Sequence, residues 1–282
     1  MSKKRVLVTT PAKNGVPHYW IAAYDDIMRT PHPDYEFAFA VEDGNNAINL
    51  YRNIICDYAL RENFWKIVML DADMFWTRDL LLRLISHNEP VVGCIYCKKK
   101  TGNVQWLAVR TPGVEAARED GLLQCDFIGT GALAIEIDAL RTMNNFFPER
   151  QFIYEDEDGK QKTMHELFPI GIVGPNTPEG RLARIAKLIN DADYVDDITR
   201  PATATALLGS IRSILTNQST EKGRLLGEDY GFTHLARKAG FKVWADTKCI
   251  IGHVGSIVYP VGNDKLSVQA GIPTHSLSLN AW

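Results

Sequence analysis

The stretch Lys66-Ile67-Val68-Met69-Leu70-Asp71-Ala72-Asp73 decides how the rest of this chain is read. Its run Lys66 to Leu70 lacks the apolar–polar alternation of a half-solvated strand and reads as a strand covered on both faces in a parallel sheet. It ends in Asp-Ala-Asp. Consecutive strand residues point to opposite faces, so residues i and i+2 project together, and Asp71 and Asp73 are expected side by side at the strand's carboxyl end. Open α/β sheets bind ligands at that edge. Two neighbouring carboxylates repel unless a cation sits between them, and Mn²⁺ or Mg²⁺ suits oxygen ligands and bridges to phosphates. A solvated acidic turn gives the same tripeptide, and Asp191-Ala192-Asp193, which follows a helical stretch, is read that way.

Upstream, Lys4 to Thr10 reads as a first strand closed by Pro11, which has no N–H to continue pairing. A helix around His18 to Arg29, a strand Tyr35 to Val41 and a helix from about Asn46 to Leu60 follow, the last with Ala47, Tyr51, Ile54, Ile55 and Tyr58 on one face. Arg52 and Asn53 fall outside that stripe and read as solvated surface. Downstream, Thr77 caps a helix reaching about His87, Val91 to Tyr96 is a strand, and Cys125 to Ile137 holds Gly129-Thr130-Gly131. Phe152 to Met164 looks like a hairpin turning at Asp158-Gly159. A helix from Glu228 to Ala239, stopped by Gly240, and strands Phe241 to Trp244 and Lys248 to Ile251 complete the pattern. Alternating strands and helices predict an α/β fold with a largely parallel sheet. Residues 165 to 223, punctuated by Pro and Gly and then helical, read as an insertion in one domain spanning residues 1 to 282.

The chain has 282 residues, a formal charge of −3, 45% apolar and 23% charged residues. That balance excludes a strongly basic nucleic-acid coat, and the length supports a large core. No apolar run reaches membrane-spanning length, and a soluble, cytoplasmic protein is expected. Five cysteines read as reduced thiols, Cys94 and Cys97 included, because no second ligand pair accompanies their CxxC.

Three further features carry chemistry. Glu228-Asp229 opens a helix, where carboxylates gain from the helix dipole. Gly252-His253-Val254-Gly255 ends a strand with an imidazole between glycines, and Arg52-Asn53 sits on the polar side of its helix. In this order, Thr-Pro, Arg52-Asn53, Asp-x-Asp, Gly-Thr-Gly, Glu-Asp and His-x-Gly resemble the GT-A-fold glycosyltransferases, in particular the compact group of bacteriophages and large viruses. The resemblance covers residues 1 to about 164 and 224 to about 256, and implies a Rossmann-like central sheet, a nucleotide-sugar donor, UDP- or GDP-linked, and Mn²⁺ or Mg²⁺. It implies that Asp71, Asp73 and His253 hold the metal, with Asp71 on the metal or the donor ribose. Thr10, Pro11 and Glu42 would border the nucleoside, Arg52 the diphosphate or base, and Gly129 and Gly131 would leave room for the sugar. Asp229, with Glu228, would serve catalysis, as general base if the reaction inverts the anomeric centre, the outcome weakly preferred. For a virally encoded chain, the location implied is the host cytoplasm.

Other readings start from the same residues. An aspartyl-nucleophile phosphatase carries its Asp-x-Asp in the first strand, whereas here it follows the third; a nucleotidyltransferase needs a Gly-rich basic loop that Thr9-Thr10-Pro11-Ala12-Lys13 is not. A binding module for a nucleotide-sugar or carbohydrate is the remaining alternative. The acceptor is open. Lys98-Lys99-Lys100 with Trp106, and a helix with Arg181, Arg184 and Lys187, admit DNA, while the net charge favours a glycan or small molecule.

Overall fold

β1 (Lys4–Pro11) lies between β2 (Tyr35–Glu42) and β3 (Lys66–Leu70) and runs parallel to both, in register from Lys4 opposite Tyr35 to Pro11 opposite Glu42. The computed structural model describes residues 2–12, 15–42, 47–98, 106–156, 158–173, 181–182, 185, 208, 211–212, 214–215, 224–249, 251–254 and 258–260. The expected Asp191-Ala192-Asp193 turn, Arg184, Lys187, Lys99 and Lys100 lie outside these residues.

Beyond β3 the large sheet continues through β8 (Ala132–Glu136), β5 (Val91–Cys94), β13 (Val243–Asp246), β7 (Leu122–Ile128) and β6 (Ala108–Arg110), eight strands in all. β8 and β7 run against the other six, so the sheet is mostly parallel in direction although each reversed strand pairs antiparallel on both sides. This is a mixed α/β architecture with helices on both faces, compatible with a Rossmann-like GT-A fold.

Alternation along the strands builds the two layers. Leu7, Ile67, Met69, Leu133 and Ile135 face a core shared with α2 (Ile48–Arg61), α4 (Ile137–Phe146) and α5 (Glu228–Lys238). Val6, Val8, Val68, Leu70 and Ala134 face the other core, under α1 (His18–Arg29) and α3 (Arg78–Ser86). Thr77 caps α3 by accepting the Leu80 N–H at 3.3 Å, and Gly240 closes α5 at φ 90°.

The sequence reading needs several corrections. Lys248 to Ile251 carries no strand among its described residues; the chain turns after β13 and the strand falls at β14 (Gly252–Val254), paired with β15 (Val258–Pro260) and with the two-residue β4 (Met74–Phe75). α2 buries Arg52 and Asn53, because a second surface covers it: Asn53 Oδ1 accepts the Leu167 and Phe168 N–H groups at 2.8 and 3.0 Å. Cys125 to Ile137 holds two strands and the start of a helix, with the glycines between them. The Phe152 to Met164 hairpin is formed by β9 (Gln151–Glu155) and β10 (Gln161–His165), with Gly159 at φ 75° in the turn. All five cysteines are buried thiols.

The chain divides into two compact units, Met1–Pro169 with Glu228–Trp282, and Ile170–Gly227. In the smaller one, β11 (Gly171–Val173) pairs antiparallel with β12 (Arg224–Leu226). Among the described residues no helix is long and apolar enough to cross a membrane.

One buried charge fastens the sheet to α3. Asp246 accepts from His87 Nε2 at 2.8 Å, Arg83 Nη2 at 2.9 Å and the Lys248 N–H at 2.8 Å. Burial alone pushes its carboxyl up, but these donors prevail and hold it below the ordinary carboxylate range. A depressed carboxyl stabilises the fold above its unfolded pKa of about 3.9 and loses that contribution as pH falls through its folded value. Asp246→Asn is therefore expected to cost about 2 kcal/mol at pH 7. Denaturant melts across pH should show the gap to the native chain closing only below the ordinary carboxylate range.

Candidate active site

At the carboxyl end of β3 the chain does not continue extended. The Met74 N–H bonds back to the Asp71 carbonyl at 2.9 Å, a turn that ends the strict alternation expected of Asp71 and Asp73. The two carboxylates consequently have different partners. Asp71 turns to α2, where Arg52 Nη2 donates to its Oδ1 at 2.9 Å. Asp73 lies beside β14: its carbonyl accepts the Val254 N–H at 2.7 Å, and its Oδ2 is 3.6 Å from His253 Nε2. Pairing of His253 with Met74 across β14 and β4 fixes this approach through backbone geometry.

The His253 ring is fixed through its other nitrogen. Nδ1 lies 2.7 Å from the Cys97 carbonyl, which can only accept, so Nδ1 carries a proton and Nε2 is the ring nitrogen turned towards Asp73. Metal-binding imidazoles carry such a backbone or carboxylate acceptor on the other nitrogen. The ring edge also meets Tyr96, centroids 5.5 Å apart. A carboxylate oxygen and an imidazole nitrogen fit Mn²⁺ or Mg²⁺ in the company of waters and phosphate oxygens. Among the described residues no cluster of three or more His, Cys, Asp or Glu side chains poised for a metal forms. Asp71, expected on the metal or the donor ribose, is engaged by Arg52.

Arg52 is the centre of the arrangement and is 1% exposed. Besides Asp71, its Nη1 donates to Asp229 Oδ1 at 2.7 Å and to Glu228 Oε1 at 3.0 Å. A guanidinium so engaged is an interior tie between β3, α2 and the start of α5, in place of the solvated or diphosphate-facing cation expected. Thr130 Oγ1 also donates to Asp229 Oδ1. Among the described residues Arg52 and Thr130 both bond Asp229 at Oδ1, and its side chain is 30% exposed, which leaves Oδ2 the more available oxygen. Burial raises the Asp71 carboxyl, with Asp229 and Asp73 adding to the rise and Arg52 opposing it. Burial, then the charge of Asp229, raises Glu228. Three carboxylates, Asp71, Glu228 and Asp229, therefore share one guanidinium, an excess of negative charge at a half-buried edge that favours a cation.

Gly129 and Gly131 have a packing role. A Cβ on either would strike the Tyr96 ring and hydroxyl, and at Gly131 also Met74, so the space expected for a sugar on that side is filled by protein. Tyr96 accepts the Gly131 N–H at 2.7 Å, and burial among Asp229 and Asp71 raises its hydroxyl well above the usual range. Thr10 lies buried at the end of β1 and accepts from Trp20 Nε1 at 2.9 Å; Pro11 and Glu42 are half-buried beside it on paired strands. Trp106 is half-buried against the core, with its backbone bridged to Cys97. The sequence reading gives Tyr96 no site role, and Thr130 enters it only inside Gly-Thr-Gly. The only trace of them is the pair of glycines, whose reason is the tyrosine they admit.

No family model matches this chain, and no curated protein matches it. Solved structures similar to it include A197 from STIV, at 14% identity over 89% of this chain and 86% of that one, with a TM-score of 0.42. A glycosyltransferase involved in the glycosylation of the major capsid of PBCV-1 is similar at 11% identity and a TM-score of 0.27, over 48% of this chain and 62% of that one, less than two thirds of its length. At such identities likeness says nothing about which residues react.

Replacing Arg52 with Met tests the tie. Removing the one cation leaves Asp71, Glu228 and Asp229 facing each other, a loss expected to be about 3 kcal/mol at pH 7. Without it the carboxyls Asp71 and Glu228, already raised, rise further, so the folded variant binds protons the unfolded chain does not. Stability of Arg52→Met should then increase as pH falls from 7 to about 5, which thermal melts would register.

Proposed function

We propose that this chain is a metal-dependent glycosyltransferase, moving a sugar from a UDP- or GDP-linked donor to an acceptor hydroxyl on a glycan or small molecule. The observation that carries the reading is the Asp73–His253 approach at the carboxyl edge of β3, with Asp229 fastened to Asp71 through Arg52 on its other side. Asp73 Oδ2 and His253 Nε2 would hold Mn²⁺ or Mg²⁺. When bound, the ion supplies Lewis-acid neutralisation of a departing diphosphate.

The chain's own groups do the rest. Thr10, Pro11 and Glu42, together at the ends of β1 and β2, border the nucleoside. Asp71, kept in place by Arg52, orients the donor ribose. Asp229, its Oδ1 fixed by Arg52 and Thr130, takes the acceptor proton on Oδ2 as the hydroxyl oxygen attacks. Attack from the face opposite the leaving group inverts the anomeric centre. Glu228 supports this through Arg52, whose charge it shares.

Three measurements test the reading. Screening UDP- and GDP-sugars with Mn²⁺ should reveal release of nucleoside diphosphate that EDTA abolishes, and full activity in Asp73→Ala would refute the metal role. Asp229→Asn should lower turnover by about 10²- to 10⁴-fold while calorimetry finds donor affinity unchanged. Donor binding without turnover on any acceptor, hydroxymethylated DNA included, would make the chain a nucleotide-sugar-binding module instead.

A further inference from the structure

The edge of the large sheet opposite the acidic site carries concentrated positive charge. A cavity of about 350 Å³ opens at the start of β1, with Lys3, Lys4, Arg5, Asn63, Asp138 and Arg141 in its lining. Each cation is positioned from behind. Arg5 Nη1 donates to the Glu62 carbonyl at 2.6 Å and its guanidinium lies 4.4 Å from the Phe64 centroid. Lys4 Nζ sits 4.1 Å from the Trp65 centroid, and Lys3 Nζ donates to the His32 carbonyl at 2.9 Å. Arg141 donates to Asn63 Oδ1 and Asp138 Oδ1, both at 2.6 Å.

Of these four, Arg141 alone has a carboxylate partner among the described residues. Carbonyl dipoles and ring faces orient the other three without cancelling their charge. Asn63, at φ 52°, takes up the left-handed conformation that Asn tolerates better than most residues, in the turn that delivers its amide oxygen to Arg141. The crowding reaches Lys66, whose ammonium shares the Trp65 ring with Lys4 at 4.6 Å from the centroid. Burial lowers the Lys66 ammonium and the charge of Lys4 lowers it further, against the pull of Glu136. Like charges gathered in this way are relieved by an anion with several oxygens.

We propose that this cavity is a binding site for a small phosphate-bearing anion, separate from the acidic site. Its volume falls in the range of about 300–1,000 Å³ typical of small-molecule sites. Two guanidiniums and two ammoniums suit a diphosphate better than a single phosphate, because planar donors engage two oxygens each. β1 spans eight residues from this edge to Pro11, roughly 23 Å at about 3.3 Å per residue, so an anion here does not share a position with one near Asp73.

The test is calorimetry of the full chain with pyrophosphate, in EDTA so that no divalent ion bridges the probe to Asp73 and His253. One site is expected, about tenfold tighter for pyrophosphate than for inorganic phosphate and weakened by rising salt. Lys4→Gln and Arg141→Gln, each checked for a native melt, should weaken it about tenfold, and Lys4→Arg should retain it if Lys4→Gln does not fold. Asp73→Ala should leave the affinity unchanged. Absence of binding at 0.1 M salt, full binding in both neutralised variants, or loss in Asp73→Ala would each overturn the proposal. Because the metal is excluded and Asp73 is controlled, none of these results depends on the glycosyltransferase reading.

Discussion

A single guanidinium organises the acidic edge of this protein. Arg52 comes from the middle of a helix, is almost wholly enclosed, and meets carboxylates from the end of β3 and the start of α5. An arginine buried in this way loses its hydration, and only well-aimed anions compensate. The three acids, in turn, could not sit so close at an enclosed edge without it. Each partner therefore makes the other's position tenable, and the strand, the helix and the second helix are fixed relative to one another by the same set of contacts. The position of Asp229 follows from this constraint.

The scaffold was largely legible because its signals are local. Strand β3 and the Glu228 helix carry apolar patterns that survive folding, with Gly240 closing the helix, and the alternation of faces in β1 and β3 divides the core as the pattern suggests. What was not legible depends on pairs distant in sequence. Arg52 lies off the apolar stripe of its helix, and nothing nearby announces the carboxylates, 19 and 177 residues away, that draw it inside. Asn53 is likewise buried by a chain reversal at Leu167 and Phe168 that no local rule places.

The acidic tripeptide shows the same limit at smaller scale. A strand's period of two holds only while the strand lasts, and the turn at Asp71 ends it one residue too early for the two carboxylates to project as twins. Their division of labour, one towards Arg52 and one towards His253, is a property of that turn. Gly129 and Gly131 also resist a local reading: a glycine allows close approach, but the sequence does not say whether ligand or protein will use it. Here a tyrosine two residues beyond β5 does.

The pairing of β14 with β4 joins residues about 180 positions apart through a ladder of only two registered pairs. Long loops are costly to close and short ladders repay little, so this contact is among the last that a folding chain can secure. During synthesis Asp73 emerges about 180 residues before His253. The imidazole half of the pair is thus made late, and the Asp73–His253 approach exists only once β14 has paired with β4.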